Sequence, residues 1–367
     1  MGVEEELLLV DPGTGAVSPV APAALAAHRE RWRPGMVGAP RVEHELYQQQ
    51  LELATEPCTT LDELRCSLVR ARSAALDAAS AAGAVAVAVP TPVLPGGDER
   101  VTPDARYQRI QQEYGELARP ASVCGMHVHV EVADEEAAVA VVDGVRPWLP
   151  VLLALSANSP YWHGRDTGHA SWRSQVWTRW PTGGPREPLG GAADYHETAR
   201  LLQEWGAAMD EAMLYFDVRL ATELPTVEIR VADVCTEVDD AVLVAALARA
   251  LVVTLLREHC AGRGGDAPGW RTDLLRAAHW HASRNGVGET LVHPQRRALA
   301  PAITVVQALV EHTAEALNEA GERGTVLELI DRLVAAGGGA ARQRGVADRT
   351  GRLEAVVTDL AERTARW

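Results

Sequence analysis

The sequence predicts an α+β fold, in which an antiparallel sheet packs one apolar face against helices and keeps its other face polar. Two observations predict it. Several short segments alternate strictly between apolar and polar residues, and the pattern after residue 236 is almost wholly helical. One polar face is typical of antiparallel sheets, because parallel sheets are usually covered on both sides. We expect a single domain over 1–367, with its strands within 1–235 and mostly helices over 236–367.

The first alternating segment opens the chain: Gly2 to Val10 is apolar enough for a strand and is followed by a turn, Asp11-Pro12-Gly13. Glu4 and Glu6 lie two residues apart, so they share one face of this strand. Neighbouring carboxylates repel each other unless a cation lies between them, and hard oxygen ligands suit Mg²⁺ or Mn²⁺. Taken alone, the segment also fits a solvent-exposed edge strand with an acidic face.

The same alternation recurs in three further segments, which favours the first interpretation. The strand over 122–132 has His127, His129 and Glu131 opposite its apolar residues, and the strand over 225–233 has Glu228 and Arg230. A shorter segment presents Glu52 between two leucines. An ordinary solvent-facing sheet would carry lysine, and this chain has none. The pattern indicates a polar active-site face that binds metal ions and anions.

The other elements follow from periodicity and capping residues. Thr60 and Thr102 are predicted to cap helices, and Gly83 to end the first of these. The predicted helices lie near 21–32, 61–82, 102–117, 134–145, 147–157 and 192–208, and the predicted extended segments over 41–55, 84–89 and 214–220. After Val238 the helices are predicted to break at Gly262–Gly265, Gly286–Gly288 and Gly337–Gly339.

Residues 159–191 lack periodicity and are dense in glycine, proline and tryptophan. A long irregular stretch inside a compact domain is often a functional loop or lid. A packed connector anchored by its tryptophans explains the same composition. Both interpretations stay open, and with them whether these tryptophans line a substrate pocket.

Composition limits the partners. The 367 residues carry a net charge of −15, which argues against nucleic acid or an anionic membrane as the main partner. The most apolar stretch, 241–256, contains Arg249 and is too short to span a bilayer. The five cysteines form no CxxC motif, and no basic segment precedes an apolar run at the start. We therefore expect a reduced, cytoplasmic protein that acts on small molecules.

Taken together, the motifs resemble the carboxylate–amine ligases of the glutamate–cysteine ligase type 2 family. The similarity spans roughly residues 2–295, in the order of the family's motifs. The matching stretches are Gly2-Val3-Glu4-Glu5-Glu6, Glu45-Leu46 with Leu51-Glu52, Cys124-Gly125-Met126-His127-Val128-His129-Val130, Ser156-Ala157-Asn158-Ser159-Pro160, Ser171-Trp172-Arg173-Ser174, and Leu224-Pro225-Thr226-Val227-Glu228-Ile229-Arg230-Val231-Ala232-Asp233.

The resemblance implies a fold akin to the catalytic domain of glutamine synthetase, where a curved antiparallel sheet holds Mg²⁺ ions and ATP and helices pack outside. It also implies ATP-dependent amide formation. The γ-carboxylate of glutamate is phosphorylated, and an amine, typically that of cysteine, displaces the phosphate.

The same resemblance assigns roles to individual residues. Arg230 is placed for a phosphate and, with His127 and Glu228, forms the expected catalytic group. Arg173 is expected to hold a substrate carboxylate, and Arg109 is a weaker candidate for that work. The alternative for Arg173 is that it braces its loop by binding backbone carbonyls. The implied metal ligands are Glu4, Glu6, Glu52 and Glu228, with Glu45 and His127 as further ligands.

Two positions depart from the family pattern and leave the amine open. His44 stands where proline is common, and His293 where aspartate is usual. Two other functions compete with the ligase: a zinc hydrolase that uses His127 and His129, and a binding protein without turnover. The helical C-terminal third could also bury a partner in a homo-oligomer.

Overall fold

The computed structural model describes residues 1–32, 36, 38–97, 99–119, 122–263 and 270–367. The strands are Gly2–Val10 (β1), Arg41–His44 (β2), Gln50–Ala54 (β3), Val85–Val87 (β4), Gly125–Glu131 (β5), Tyr161–Trp162 (β6), Arg165–Asp166 (β7), Val218–Leu220 (β8), Thr226–Asp233 (β9), Thr290–Val292 (β10) and Leu299–Pro301 (β11). The helices are Ala21–Arg31 (α1), Leu61–Ala81 (α2), Ala105–Tyr114 (α3), Glu135–Val145 (α4), Leu149–Ser156 (α5), Trp172–Trp177 (α6), Ala192–Glu204 (α7), Val238–Cys260 (α8), Thr272–Asn285 (α9), Ala302–His312 (α10), Ala314–Glu319 (α11), Arg323–Ala335 (α12), Gly338–Thr350 (α13) and Leu353–Thr364 (α14).

The main sheet has the strand order β2-β3-β1-β5-β9-β8, and β4 pairs with the far end of β1. All of these pairings are antiparallel, as the alternating segments predicted. Residues directly opposite one another share a face. Glu6 therefore lies beside Glu52, Glu4 lies beside His127, and His129 lies beside Glu228. The register thus brings side chains from four strands onto one polar face.

A β-bulge interrupts β9 where it pairs with β5. Ile229 pairs with Val128, but three residues later Ala232 pairs with Met126, so β9 has one extra residue. A bulge of this kind shifts the alternation of side chains by one position. Asp233 consequently lies opposite Gly125, on the polar face, whereas strict alternation would place it on the core face.

Helices cover the apolar face of the sheet. One core joins α4, α5 and α8 to the inward side chains of β5 and β9, and a second joins α1, α2 and α14 to β1 and β4. Glu5 also points into this interior, where it is 1% exposed and forms a two-pronged ion pair with the fully buried Arg72. Arg72 also donates to the carbonyl oxygens of Cys235 and Thr236, so no charge is left unpaired here.

The helical stretch Glu135–Ser156 is long and apolar enough to cross a membrane, judged by length and composition alone. Its most apolar window is 94% buried inside the protein. A core helix of a globular protein gives the same signal, so this stretch is explained by packing on the sheet.

Several boundaries differ from prediction. α3 is capped by Asp104, which accepts from the Arg106 amide at 2.8 Å, and it ends at Tyr114 before Gly115 at a φ of 53°. The predicted cap, Thr102, instead donates to the carbonyl of Glu45. Strand β8 is shorter than predicted, since Phe216 forms an isolated bridge with Gly184, outside the ladder with β9. The C-terminal third contains an unpredicted hairpin, β10–β11. The predicted break at Gly262–Gly265 extends beyond the described residues.

Candidate active site

A cavity of about 280 Å³ lies on the polar face of the sheet. Its floor is formed by carboxylates and a histidine from β1, β3 and β5, and its roof by α3 and aromatic side chains. The lining residues are Glu4, Glu6, Glu45, Leu46, Tyr47, Gln50, Glu52, Arg106, Tyr107, Ile110, Val123, His127, Trp177, Trp180, Ala212, Tyr215, Arg219 and Arg230. The irregular stretch therefore contributes two tryptophans to the wall of this cavity.

Glu4 lies between the two histidines of β5. His127 Nδ1 is 3.1 Å from Glu4 Oε2, and His129 Nε2 is 3.4 Å from the same oxygen. Burial opposes the charge on Glu4, but these two histidines outweigh it and hold the pKa of Glu4 well below its usual range. Burial and the nearby Arg230 lower the pKa of His127, so this imidazole is neutral and offers a lone pair.

Glu228 is held by two arginines. Arg219 Nε donates to Glu228 Oε2 at 2.7 Å, and Arg230 Nη1 donates to Glu228 Oε1. Burial opposes ionisation of Glu228, but the two guanidinium groups keep its pKa far below the ordinary value. Arg219 is fixed in turn by the backbone carbonyls of the turn before β8, including that of Ala212 at 2.7 Å. Among the described residues, the Nε atom of Arg230 is buried without a hydrogen-bond partner.

The remaining carboxylates crowd one another. Burial and the negative charge of Glu6 raise the pKa of Glu45 to about 7. Burial, together with Glu45, Glu4 and Glu6, raises the pKa of Glu52 well above its usual value. Glu6 relieves part of its own charge by accepting from the Gly125 amide at 2.7 Å. A divalent cation among these groups would remove the repulsion.

Two imidazole nitrogens on this floor are available to a cation. Within the described part of the chain, His127 Nε2 and His129 Nε2 are both buried without a hydrogen-bond partner. The His127 nitrogen lies 3.8 Å from Glu6 Oε1, which is too far for a hydrogen bond. In addition, one ligand atom each from Glu4, His129 and Glu228 lie within 4.8 Å of one another. Mixed carboxylate and imidazole ligands of this kind suit a divalent metal.

Arg173 lies outside the cavity. Its side chain is 2% exposed, and its Nη atoms donate to the carbonyls of Val231 and Arg230 at 3.4 and 3.3 Å. It packs so closely on Gly125 that a Cβ there would lie 2.2 Å from Arg173 Nη2. Arg173 also lies 4.0 Å from Asp233, the residue that the bulge turns to this face. These contacts are those of the bracing alternative, and the structure does not bring Arg173 to the predicted substrate position.

Arg109 is also away from the cavity. It lies on the exposed side of α3, with Glu113 as its only ion-pair partner in the described chain, at 3.9 Å. One turn earlier on the same helix, Arg106 lines the cavity instead. The arginine that the sequence pointed to on α3 thus faces solvent, because segments distant in the chain determine which face of this helix meets the cavity.

The sequence missed several residues of the site. Arg219 alternates with Val218 and Leu220 just before β9, so the alternation did signal that it shares the polar face with Glu228. Tyr107 and Tyr215 carry no sequence signal, because only the fold brings α3 beside the turn that precedes β8. Burial raises the pKa of both phenols, so both stay protonated as donors.

Comparisons with known proteins agree with this geometry. Residues 1–359 match the profile of glutamate–cysteine ligase family 2. A protein of Nocardioides sp., named as a candidate glutamate–cysteine ligase 2-1, is 49% identical, with 100% of this chain and 96% of that protein covered.

Two solved structures share the fold at low identity. The glutamate–cysteine ligase of Francisella tularensis has a TM-score of 0.66 at 14% identity, covering 100% of this chain and 89% of that chain. A bifunctional glutathione synthetase from Pasteurella multocida has a TM-score of 0.65 at 16% identity, covering 99% and 52%. The predicted family and α+β fold are confirmed. The chain belongs to glutamate–cysteine ligase family 2 and is an enzyme that forms a carbon–nitrogen bond between a carboxylate and an amine.

Proposed function

We propose that this enzyme is an ATP-dependent ligase that joins glutamate, through its γ-carboxylate, to cysteine or another amine by way of an acyl phosphate. The observation that supports it most directly is the cavity floor, where carboxylates and imidazoles converge beside the Arg219–Glu228–Arg230 cluster. The Francisella protein of the same fold was solved in complex with AMP, in keeping with an adenine nucleotide as a substrate here.

The chemistry explains why such a site is needed. A carboxylate is a poor acyl donor, since its leaving group would be oxide. In the proposed first step, a γ-carboxylate oxygen attacks the terminal phosphorus of ATP, and the bond from that phosphorus to ADP breaks. The amine nitrogen then attacks the acyl carbon, phosphate leaves with the bonding electrons, and the amine proton passes to solvent. Positioning and charge neutralisation account for most of the catalysis of such transfers.

The residues of the site divide into a group proposed to contact phosphate and a group proposed to hold metal. Arg230 faces the cavity with an unpaired Nε, so it can donate to a phosphoryl oxygen, and Arg219 keeps Glu228 in place. When bound, Mg²⁺ or Mn²⁺ supplies positive charge against the phosphoryl group. The residues proposed to hold the metal are Glu4, Glu6, Glu45, Glu52, His127 and Glu228, to which the structure adds His129.

The identity of the amine depends on the cavity wall. Of the two departures from the family pattern, only His44 touches that wall, since its ring lies edge-on to Tyr107 with centroids 5.8 Å apart. His293 is buried near the β10–β11 hairpin, where it accepts from the Gln295 amide. We therefore propose that His44, rather than His293, bears on the choice of amine.

The test is to incubate the protein with Mg-ATP, glutamate and a panel of amines, and to measure phosphate release and product mass. We expect phosphate release that needs Mg²⁺ or Mn²⁺ and stops when a chelator is added. Full activity in chelator would contradict the proposal. Hydrolysis that needs Zn²⁺ and no ATP would instead favour the hydrolase, which none of the comparisons supports. Homo-oligomer formation and a cytoplasmic location stay predictions.

A further inference from the structure

Three arginines line the cavity, and one of them differs from the other two. Arg219 and Arg230 both donate to Glu228, so their charges are balanced within the floor. Arg106 is the only lining arginine of the described chain whose acid partner, Asp210, lies outside the cavity floor. Arg106 therefore brings a positive charge to the roof, opposite the carboxylates.

The pairing of Arg106 leaves donors free. Its Nε donates to Asp210 Oδ2 at 2.7 Å and its Nη2 to Asp210 Oδ1 at 2.9 Å, so only one edge of the guanidinium is used. Within the described chain, Nη1 makes no hydrogen bond. Both partners are more than a third exposed, and an ion pair that water reaches contributes little, so a second carboxylate can share or replace Asp210.

We propose that Arg106 binds the α-carboxylate of the amino-acid substrate that donates the γ-carboxylate, an inference that rests on the proposed function. The reacting carboxylate must lie at the floor, beside the phosphoryl group. The second carboxylate of the same molecule needs a donor of its own, and Arg106 is the lining arginine of the described chain that is not tied to Glu228. A guanidinium suits this work, because its planar fork matches a carboxylate.

The environment of Arg106 favours substrates that carry an α-carboxylate. Its position on α3 is fixed by the Asp104 cap, which accepts from its amide. Its guanidinium lies 5.7 Å from the ring of Tyr107, and Tyr215 also lines the cavity. A substrate that lacks the α-carboxylate would leave this guanidinium without its second partner and would gain nothing from it.

The experiment compares glutamate with 4-aminobutyrate, which keeps the γ-carboxylate and lacks the α-carboxylate. We expect the wild-type enzyme to prefer glutamate. In Arg106→Ala, kcat/KM for glutamate should fall by about tenfold to a hundredfold, the scale of a charged hydrogen bond. The value for 4-aminobutyrate and the KM for ATP should not change, and Arg106→Lys should recover part of the loss.

Arg109→Ala is the matched control, because Arg109 lies on the same helix but faces solvent. Three outcomes would overturn the inference: a wild-type enzyme that does not distinguish the two acids, an Arg106→Ala variant that weakens both alike, or an equal effect in Arg109→Ala. Calorimetric titration with glutamate separates this inference from the proposed function. If no assay detects turnover, the ligase proposal fails. If glutamate binds and Arg106→Ala does not weaken that binding, the proposed role of Arg106 is refuted.

Discussion

At the scale of single residues, charge balance decides what the cavity can do. Glu228 is 2% exposed and has Arg219 on one side and Arg230 on the other. A carboxylate so enclosed keeps both guanidinium groups charged and oriented. The same carboxylate is a candidate metal ligand with Glu4 and His129. It therefore links Arg230, which we propose binds phosphate, to the floor that we propose binds metal.

Glu228→Gln tests this link. We expect turnover to fall by about a hundredfold or more, as for other preorganised electrostatic groups. The fold should persist with a lower melting temperature, because two buried arginines lose their charged partner. Steady-state kinetics and thermal unfolding measure both effects. Glu131→Gln, at the exposed end of β5, is the control. Near-normal turnover in Glu228→Gln would reject the role of Glu228 as a metal ligand.

Glu45 gives a pH prediction. Its pKa of about 7 in the folded protein exceeds that of an unfolded glutamate, about 4.3, because of burial and the charge of Glu6. Between these values the folded state holds a proton that the unfolded chain has released, so its contribution to stability falls as the pH rises through this window. With chelator present, the melting temperature of Glu45→Gln relative to that of wild type should rise between pH 5 and pH 8. Parallel curves for the two proteins would contradict this.

At the scale of elements, the bulge in β9 and the short helix α6 form one unit. Asp233 accepts from the hydroxyls of Ser159 and Ser171 at 2.7 and 2.9 Å, which anchors both ends of the loop before α6. Arg173 on that helix then covers Gly125 and donates to backbone carbonyls of the bulge. The loop is thus a braced connector that positions Trp177 over the cavity.

Arg173→Lys separates bracing from substrate binding. Bracing predicts a loss of about 1.5–3 kcal/mol in the free energy of unfolding, the scale of charged hydrogen bonds, because Lys cannot span both carbonyls. Bracing also predicts that the binding of glutamate and the binding of ATP weaken to the same extent. Separate titrations of the two substrates, together with chemical denaturation, measure this. A rise in the apparent KM for glutamate alone, with unchanged stability, would restore the substrate-clamp assignment.

The sequence predicted the strands and their polar face because a period of two is a local pattern. β1, β5 and β9 were recognised from alternation, and with them most of the floor. It could not assign Arg173, because nothing local shows that a bulge turns Asp233 towards it. It did not point to Arg106, because the partner of Arg106, Asp210, lies about a hundred positions further along the chain.

At the scale of the whole molecule, the crowded floor works against the folded state when no cation is present. The raised pKa values of Glu45 and Glu52 record this repulsion. Because strands of the sheet contribute to both apolar cores, repulsion in the floor lowers the stability of the whole fold.

Mg²⁺ should therefore stabilise the protein against heat. At a hundredfold excess over its dissociation constant, a ligand that binds only the folded state adds about 2.7 kcal/mol. Melting curves with and without Mg²⁺ measure the shift. In Glu52→Gln the shift should shrink, while the exposed control Glu131→Gln should keep it. Equal shifts in all three proteins would argue against a metal on this floor.

The bulge also separates β9 into two halves that are out of phase. Glu228 and Arg230 belong to the first half, and Asp233 belongs to the second. A substitution in this strand changes one side chain and leaves the phase intact. A strand of the same length that paired with β5 without the bulge would instead turn Asp233 into the apolar interior and leave the loop that it anchors without an acceptor. The one extra residue of β9 therefore sets the face on which Asp233 lies, independently of the alternation that places Glu228 and Arg230.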